Sequence, residues 1–540
     1  MKPLPPWAID PSGRASEPPA LGDLVAAAAG HWPDRLAISD NRDAYTFAEV
    51  EDGARALAWW LAGQGVAPGD RVAILAEKCA LVPMLAIAIW KCGAVYVPLD
   101  ASNPPARLQR LIQRLRPRAV IALDERPPVV AGVAWLGRSL LEQVVRRPAP
   151  PRASVRHGVE EAAYIIFTSG STGEPKGVEI GAGSLTAYFG NHNEVLRFTP
   201  SSRVFSLAPF HFDVSIEDTI LPLSLGAFVH QFRGLPAGPV MRAVMMRERI
   251  THLIAVSTLL TIITGDGAAV TRDTFPSLEM VMTGAEVCDP SVINVWKERL
   301  PETRVINVYG PTEATIVCFF HEIERVDHDR RAGYPIGRPL AGVSAMIVRD
   351  GAEVREPGVS GELWVGGRQV MQRYFDQPEE TARRIVVVGG ERYYRTGDIC
   401  SYDANGDVAF EGRADEEVKL AGRRVHLGEI RQIALTCPGV ERATVALIAR
   451  SGRQVIALSV VAADRSTVPQ VEAHLGDLLP AYMRPSVIAW TANVLIGATG
   501  KTDEALWGER LKDAAQSSSA NYFAMTECGN VEPMELDAHV

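Results

Sequence analysis

Apolar positions along the first hundred residues alternate between a helical and a strand period. Val50, Ala54, Leu57 and Leu61 recur at spacings of four, three and four, which places them on one face of a helix that ends near Gly63 and Gly65. RVAIL at 71–75 is a short continuous apolar run and predicts a buried strand. Leu81 to Lys91 predicts a second apolar helix, and AVYVPLD at 94–100 another strand. Strand, helix and strand at this spacing form a βαβ unit, which implies a parallel sheet covered by helices.

Residues 124–160 break the rhythm with RPP and RRPAPPR and few periodic apolar positions, which predicts a surface connection between two subdomains. YIIFTSGSTGEPKGV at 164–178 opens a second α/β series, continued by apolar segments near 204–208, 252–256, 279–283 and 304–309. From about residue 340 the pattern becomes β-rich, with VSAMIVRD, GELWVGG and DVAFEGR separated by Gly, Pro and Asp turns. A boundary is predicted near 413–424, where GRADEEVKLAGR is dense in charge. EIRQIAL, RATVALIA, QVIALSVV and VEAHLGDLL then predict a small α+β unit. The whole is an α/β protein: a large N-terminal body at 1–413 with two α/β subdomains and a β-rich one, a small mobile α+β domain at 414–512, and a tail at 513–540 that lacks a sustained period and is expected to be flexible.

Composition narrows the class. With 47% apolar and 22% charged residues in 540, a disordered, fibrous or collagen-like chain is excluded. A net charge of −9 does not suggest a nucleic-acid surface. The longest apolar run, Ala80 to Trp90, is about half of what a bilayer span needs. The N-terminus MKPLPPWAID has no apolar signal-peptide core. Seven cysteines at 79, 92, 288, 318, 400, 437 and 528 include no CxxC pair, so neither a zinc site nor a disulfide framework is indicated. The expectation is a cytoplasmic protein with reduced thiols and no membrane partner.

The chemistry concentrates first in Thr168, Ser169, Gly170, Ser171, Thr172 and Gly173, followed by Lys176. Small hydroxyl residues and glycines let backbone N–H groups and hydroxyls turn toward one point, and the lysine adds charge, which suits polyphosphate oxygens. The loop is not GxxxxGK[ST]. TSGSTGEPKGV resembles the phosphate loop of the adenylate-forming (ANL) superfamily, which includes acyl-CoA synthetases, luciferases and nonribosomal peptide synthetase adenylation domains. Further matches follow in order from about residue 45 to 510: WKCGAVYVPLD (90–100), NVYGPTEAT (307–315), GELWVGG (361–367), YRTGD (394–398), GRADEEVKLAGRRVHLGEI (412–430), LPAYMRPS (479–486) and TGKTDEAL (499–506).

The resemblance implies roles. Tyr309 packs on adenine, with Asn307 in the same nucleotide-binding segment; Thr312 contacts phosphate and Glu313 helps to hold Mg²⁺. Asp398 binds ribose, Arg413 contacts the nucleotide and Asp415 is the hinge. Lys501 is the catalytic lysine of the small domain and acts with Lys176. Ala421 and His426 depart from the family pattern, which often has Arg and Glu there. The implied chemistry is attack of a carboxylate on the α-phosphate of ATP, then transfer of the acyl group to a phosphopantetheine thiol after the small domain rotates.

FHFDVSIED (210–218) resembles the motif whose aspartate, here Asp213, binds the α-ammonium of an amino acid. A buried carboxylate calls for such a cationic partner. Alignment to the family's pocket places Val214, Glu217, Ile254, Met282, Gly284, Val308, Ile316 and Val317 around the substrate side chain. Glu217 is the one charge among aliphatic groups. Either a substrate amine, guanidine or ring N–H meets it, or a protein group or water does. The expected substrate is an amino acid with a basic or N–H-bearing side chain, such as ornithine or lysine, with a cyclic imino or aliphatic amino acid as the alternative. An acyl- or aryl-CoA ligase is the competing class. The residues after Lys501 lack a carrier-domain serine motif, so a separate peptidyl or acyl carrier protein is the expected acceptor.

Overall fold

The computed structural model describes residues 20–123, 134–148, 153–170, 174–450, 453–492, 520–525 and 531–534. The first predicted helix runs from Phe47 to Gly63 and buries Val50, Ala54, Leu57 and Leu61. Thr46 begins it with a reciprocal cap: its hydroxyl accepts from Glu49 N–H while the Glu49 carboxylate accepts from Thr46 N–H. This helix packs on Leu81–Lys91, every residue of which is buried. Such all-round apolarity is what a helix enclosed by its neighbours requires.

These helices cover a seven-stranded sheet in the order Arg373–Tyr374, Lys176–Gly181, Ala162–Thr168, Val95–Leu99, Arg71–Leu75, Ala119–Ala122 and Ala134–Gly137. The strands 71–75 and 95–99 are parallel, as the βαβ reading requires. Two expectations change here. The segment 124–160 is not only a connection: Ala134–Gly137 extends the sheet beside Ala119–Ala122, and Arg138–Val145 is a helix that buries Leu141 and Val144. Its prolines flank these elements rather than interrupt them. The strand Ala162–Thr168 lies parallel to Val95–Leu99, so the phosphate loop hangs from the first sheet and does not open the second.

The second sheet has nine strands, ordered Arg338–Pro339, Phe319–Glu322, Arg304–Tyr309, Met280–Gly284, His252–Val256, Arg203–Ser206, Phe228–Gln231, Leu36–Ser39 and Ala44–Thr46. Its six central strands, from Arg304–Tyr309 to Leu36–Ser39, are parallel. One apolar cluster spans residues of both sheets, and a second lies beneath the helices Gly238–Arg247, Ser257–Thr264 and Pro290–Arg299. The β-rich part is an antiparallel sheet of six strands between Val343 and Arg413.

Beyond it, Glu417–Leu420 and Arg423–His426 form a two-stranded hairpin. Helices Leu427–Leu435 and Thr467–Leu478 accompany a five-stranded sheet with its own apolar core. The expected flexible tail differs in its described part. Tyr522–Met525 pairs parallel with Val487–Thr491, and Val531–Pro533 pairs antiparallel with it in turn. Phe523 is fully buried there, an anchor too short to register as a period. No described helix is long and apolar enough to cross a membrane.

Candidate functional site

The parallel strands of the nine-stranded sheet end, on their carboxyl side, where open α/β sheets hold ligands. Ile254, Met282 and Ile306 are cross-strand neighbours in the middle of this sheet, with Val256 beside Gly284. Ile254, Met282, Val308, Ile316 and Val317 are buried in one apolar cluster, with Val214 packed against it. A Cβ on Gly284 would stand 2.4 Å from the Val308 carbonyl oxygen, so only glycine fits this close approach. Thr315 and Ile316 turn the chain through left-handed backbone, at φ 57° and 70°.

Asp213 sits in the turn before a π-helical stretch, Ile216–Ile220. Its Oδ1 accepts from Val214 N–H at 2.9 Å, while Oδ2 is buried without a partner. Burial pushes its carboxyl up to about 6, against a smaller lowering by the Thr312 side chain and the Val214 amide. Glu217 is fully buried. Tyr188 donates its hydroxyl to Oε2, His192 Nδ1 lies 3.7 Å from the same oxygen, and Oε1 has no partner. Burial lifts this carboxyl to about 8 and drops His192 to about 3, so both are neutral at pH 7. Of the two alternatives for Glu217, a protein partner is therefore present for one oxygen only.

The phosphate loop joins two antiparallel strands, with Thr168 opposite Lys176. A Cβ on Gly170 would lie 2.1 Å from the Glu174 carbonyl oxygen, so this loop also requires glycine. Thr168 Oγ1 reaches the Lys176 carbonyl at 3.5 Å. Lys176 is buried; its ammonium meets Glu380 at 2.6 Å and lies 5.4 Å from the Tyr374 ring centre. Ser171, Thr172 and Gly173 lie outside the described residues, as does Lys501.

Strand Arg304–Tyr309 carries the next group. Asn307 donates its amide to the carbonyls of Tyr334 and Pro335, so it holds a neighbouring loop. Tyr309 donates its hydroxyl to Asp398, whose other oxygen accepts from Arg413 Nη1 at 2.6 Å. Arg413 also grips Asp415 with two bonds of 2.7 and 2.9 Å. Burial would raise Asp415, but Arg413 outweighs it and holds the carboxyl at about 2. Glu313 is fully buried, accepting from Tyr374 at 2.7 Å and from Arg424 Nη1 at 2.7 Å. Against the cost of burial, these partners hold it ionised, at about 2. A hard, ionised carboxylate fits Mg²⁺, which commonly takes one or two carboxylates and completes its shell with phosphate and water. Among the described residues no group of three His, Cys, Asp or Glu side chains could hold a metal, so the fit depends on such shared donors.

The structure thus links Tyr309, Asp398, Arg413 and Asp415 by hydrogen bonds and joins Glu313 to them through Arg424 and Glu417, while Asp213 makes its bond to the Val214 amide. Sequence reasoning missed Tyr188, His192, Tyr374, Glu380, Lys419 and Arg424. Lys419, in the hairpin, places its ammonium 5.5 Å from the Tyr309 ring centre, and burial lowers its pKa. The charge density at 413–424 was the one sequence signal for the hairpin residues. Tyr188 and His192 had only their spacing of four on a helix.

A family model for AMP-binding enzyme matches residues 25–375. Novobiocin biosynthesis protein H of Streptomyces niveus is 30% identical over 514 residues, covering 91% of this chain and 82% of that protein. Phenyloxazoline synthase MbtB of Mycobacterium sp. (strain MCS) is 31% identical over 531 residues, covering 95% of this chain. The chain spans 44% of that synthase's length. Among solved structures, holo-PA1221, a nonribosomal peptide synthetase protein containing adenylation and PCP domains, has a TM-score of 0.78 at 25% identity, covering 91% of this chain and 84% of that one.

Proposed function

Because the chain belongs to the AMP-binding enzyme family, we propose that it activates an amino acid as its aminoacyl adenylate and passes it to the phosphopantetheine thiol of a carrier protein. The observation that carries this reading is Asp213, a buried carboxylate with an unpartnered oxygen beside an aliphatic cluster. A substrate α-ammonium supplies the missing counter-charge; a fatty or aryl acid does not. The adenylation–PCP architecture named for PA1221 supports the carrier as acceptor.

In the first step a substrate carboxylate oxygen attacks the α-phosphorus of ATP, and pyrophosphate leaves with the bridging electrons. Asp213 fixes the amino end of the substrate. Gly170 and Ser169, with Ser171, Thr172 and Gly173, bind phosphate oxygens, and Lys176 exchanges Glu380 for them. Tyr309 faces the base, while Asp398, held by Arg413, accepts from the ribose hydroxyls. Glu313 would hold Mg²⁺, which would supply positive charge at the phosphates. Lys501 adds charge at the reacting centre. In the second step the thiolate attacks the acyl carbon and AMP leaves, after the domain at 414–512 turns about Asp415 relative to the body at 1–413.

The substrate we favour carries a basic or N–H-bearing side chain, as in ornithine or lysine, because Glu217 Oε1 is buried without a donor. The neutral, Tyr188-bonded state of Glu217 favours the second reading, an aliphatic or cyclic imino acid. ATP–pyrophosphate exchange over a panel of amino acids tests the proposal. Exchange that depends on an amino acid supports it, and exchange driven only by acids without an α-amine refutes it.

A further inference from the structure

One turn of helix Ala182–Leu196 presents Tyr188 and His192 on the same face. Both side chains are fully buried, as is Glu217, to which they lead. The Tyr188 hydroxyl lies 2.6 Å from His192 Nδ1 and also meets Glu217 Oε2. His192 Nδ1 is 3.7 Å from that carboxyl oxygen, too far for a direct hydrogen bond, so the tyrosine bridges the two. The outer ends of this chain, His192 Nε2 and Glu217 Oε1, are buried without a partner.

A tyrosine hydroxyl has one hydrogen and cannot donate to Nδ1 and Oε2 at once. An ionised Glu217 has no hydrogen to give, so Tyr188 must donate to Oε2 and His192 must supply Nδ1–H to the tyrosine oxygen. That direction stabilises the carboxylate. A hydrogen bond to an ion is roughly twice as strong as one between neutral groups, and the second bond polarises the first. Burial opposes ionisation, followed by the charges of Asp218 and Asp213. Asp218 is met by the hydroxyls of Ser206 and Thr219, the amides of Leu207 and Ala208, and Lys78 at 3.8 Å. Asp213 meets the substrate α-ammonium in the reading above. Tyr164, on strand Ala162–Thr168, stands near Tyr188 with an unpartnered hydroxyl that burial keeps protonated. Oε1 is then the one atom of Glu217 left for the substrate. We infer that Tyr188 and His192 determine which side-chain charge the pocket accepts: their chain holds Oε2 of an ionised Glu217, so that Oε1 pairs with the terminal cation of an ornithine- or lysine-like substrate. A proton on Glu217 passes to water as that cation enters. Tyr188 and His192 are positioning residues, since they touch Glu217 and not the substrate. This inference rests on the amino-acid reading above and deepens it.

The test follows the carboxyl stretch of Glu217 in the full chain by infrared difference spectroscopy against Glu217→Gln, as pH is raised through about 8. Tyr188→Phe and His192→Leu are each expected to move the ionisation midpoint up by about one pH unit. His192→Asn keeps an N–H donor in the place of Nδ1 and should bring the midpoint back toward wild type. At about pH 7, below both midpoints, one unit leaves about tenfold less carboxylate. ATP–pyrophosphate exchange by Tyr188→Phe and His192→Leu should therefore lose about tenfold of the preference for ornithine over leucine, as a rise in KM for ornithine with kcat kept. Either variant alone carries the test if the other does not fold. An unmoved midpoint, or an equal loss for ornithine and leucine, marks a structural role and overturns the inference. If wild type activates leucine and neither ornithine nor lysine, the basic-substrate reading fails, while the infrared midpoint still decides whether the chain holds Glu217.

Discussion

Replacing Asp213 with Asn separates the cost of this carboxylate from its use. Its carboxyl is pushed from an ordinary 3.8 to about 6 by burial. For a carboxyl raised on folding, ionisation opposes the fold. The opposition is absent below about pH 4, grows through about pH 6 and is complete at neutral pH. The difference corresponds to roughly 3 kcal/mol at pH 7.5. Asn keeps an oxygen for the Val214 amide and removes the charge, so the variant without substrate should be more stable by up to that amount. Activity should move the other way. Removing one partner of a buried ion pair costs about 3–5 kcal/mol, or roughly 10²–10⁴-fold in kcat/KM for the amino acid. The assays are urea unfolding at pH 4 and pH 7.5, and ATP–pyrophosphate exchange. The midpoint of Asp213→Asn should exceed wild type at pH 7.5 and match it at pH 4. A variant that is destabilised at pH 7.5, or that keeps exchange within about tenfold of wild type, would refute the reasoning.

Glu217→Gln should abolish any preference for ornithine or lysine over leucine. In wild type, KM for a basic substrate should fall as pH rises toward about 8, where Glu217 ionises; turnover of leucine alone, with the variant unaffected, would rule out the basic-substrate reading. Tyr188→Phe removes the hydroxyl donor to Glu217 and should cost about 1–3 kcal/mol in thermal or urea unfolding. Asp415→Pro should block thiol transfer while sparing adenylate formation, measured separately in single turnover; equal loss of both would contradict the hinge. Lys501→Ala should lower exchange about 10²–10³-fold, as loss of one well-placed charge donor does, and near-normal exchange would remove its assigned role.

Local pattern carried the elements whose partners are near in the chain. The helix through Val50 and Leu61, the strand leading to the phosphate loop and the parallel strands ending at Gly284 and Tyr309 all follow from periodicity and small-residue chemistry. Sheet membership was hidden where pairing is distant. Leu36–Ser39 lies beside Phe228–Gln231, and nothing in either segment encodes the other. The strand Ala134–Gly137 was masked by flanking prolines. In the site, Asp213 was legible because FHFDVSIED resembles the family motif whose aspartate meets a substrate ammonium. Tyr188 and His192 were not, since an aromatic and a histidine four apart look like one helix face until Glu217 is seen between the elements. Glu429 and Arg424 look like one solvated charge run, and the burial of Glu429 and the ion pair of Arg424 appear only when the hairpin is set against Gly170 and Glu313.

The central claim is that this chain activates an α-amino acid, and mass-spectrometric detection of the acyl adenylate tests it most directly. Each amino acid of a panel is incubated with the enzyme, ATP and Mg²⁺ beside its counterpart lacking the α-amine. The account predicts aminoacyl-AMP from at least one amino acid, none from its des-amino counterpart, and loss of the signal in Asp213→Asn. Adenylate from the des-amino acids at equal or greater yield would contradict it.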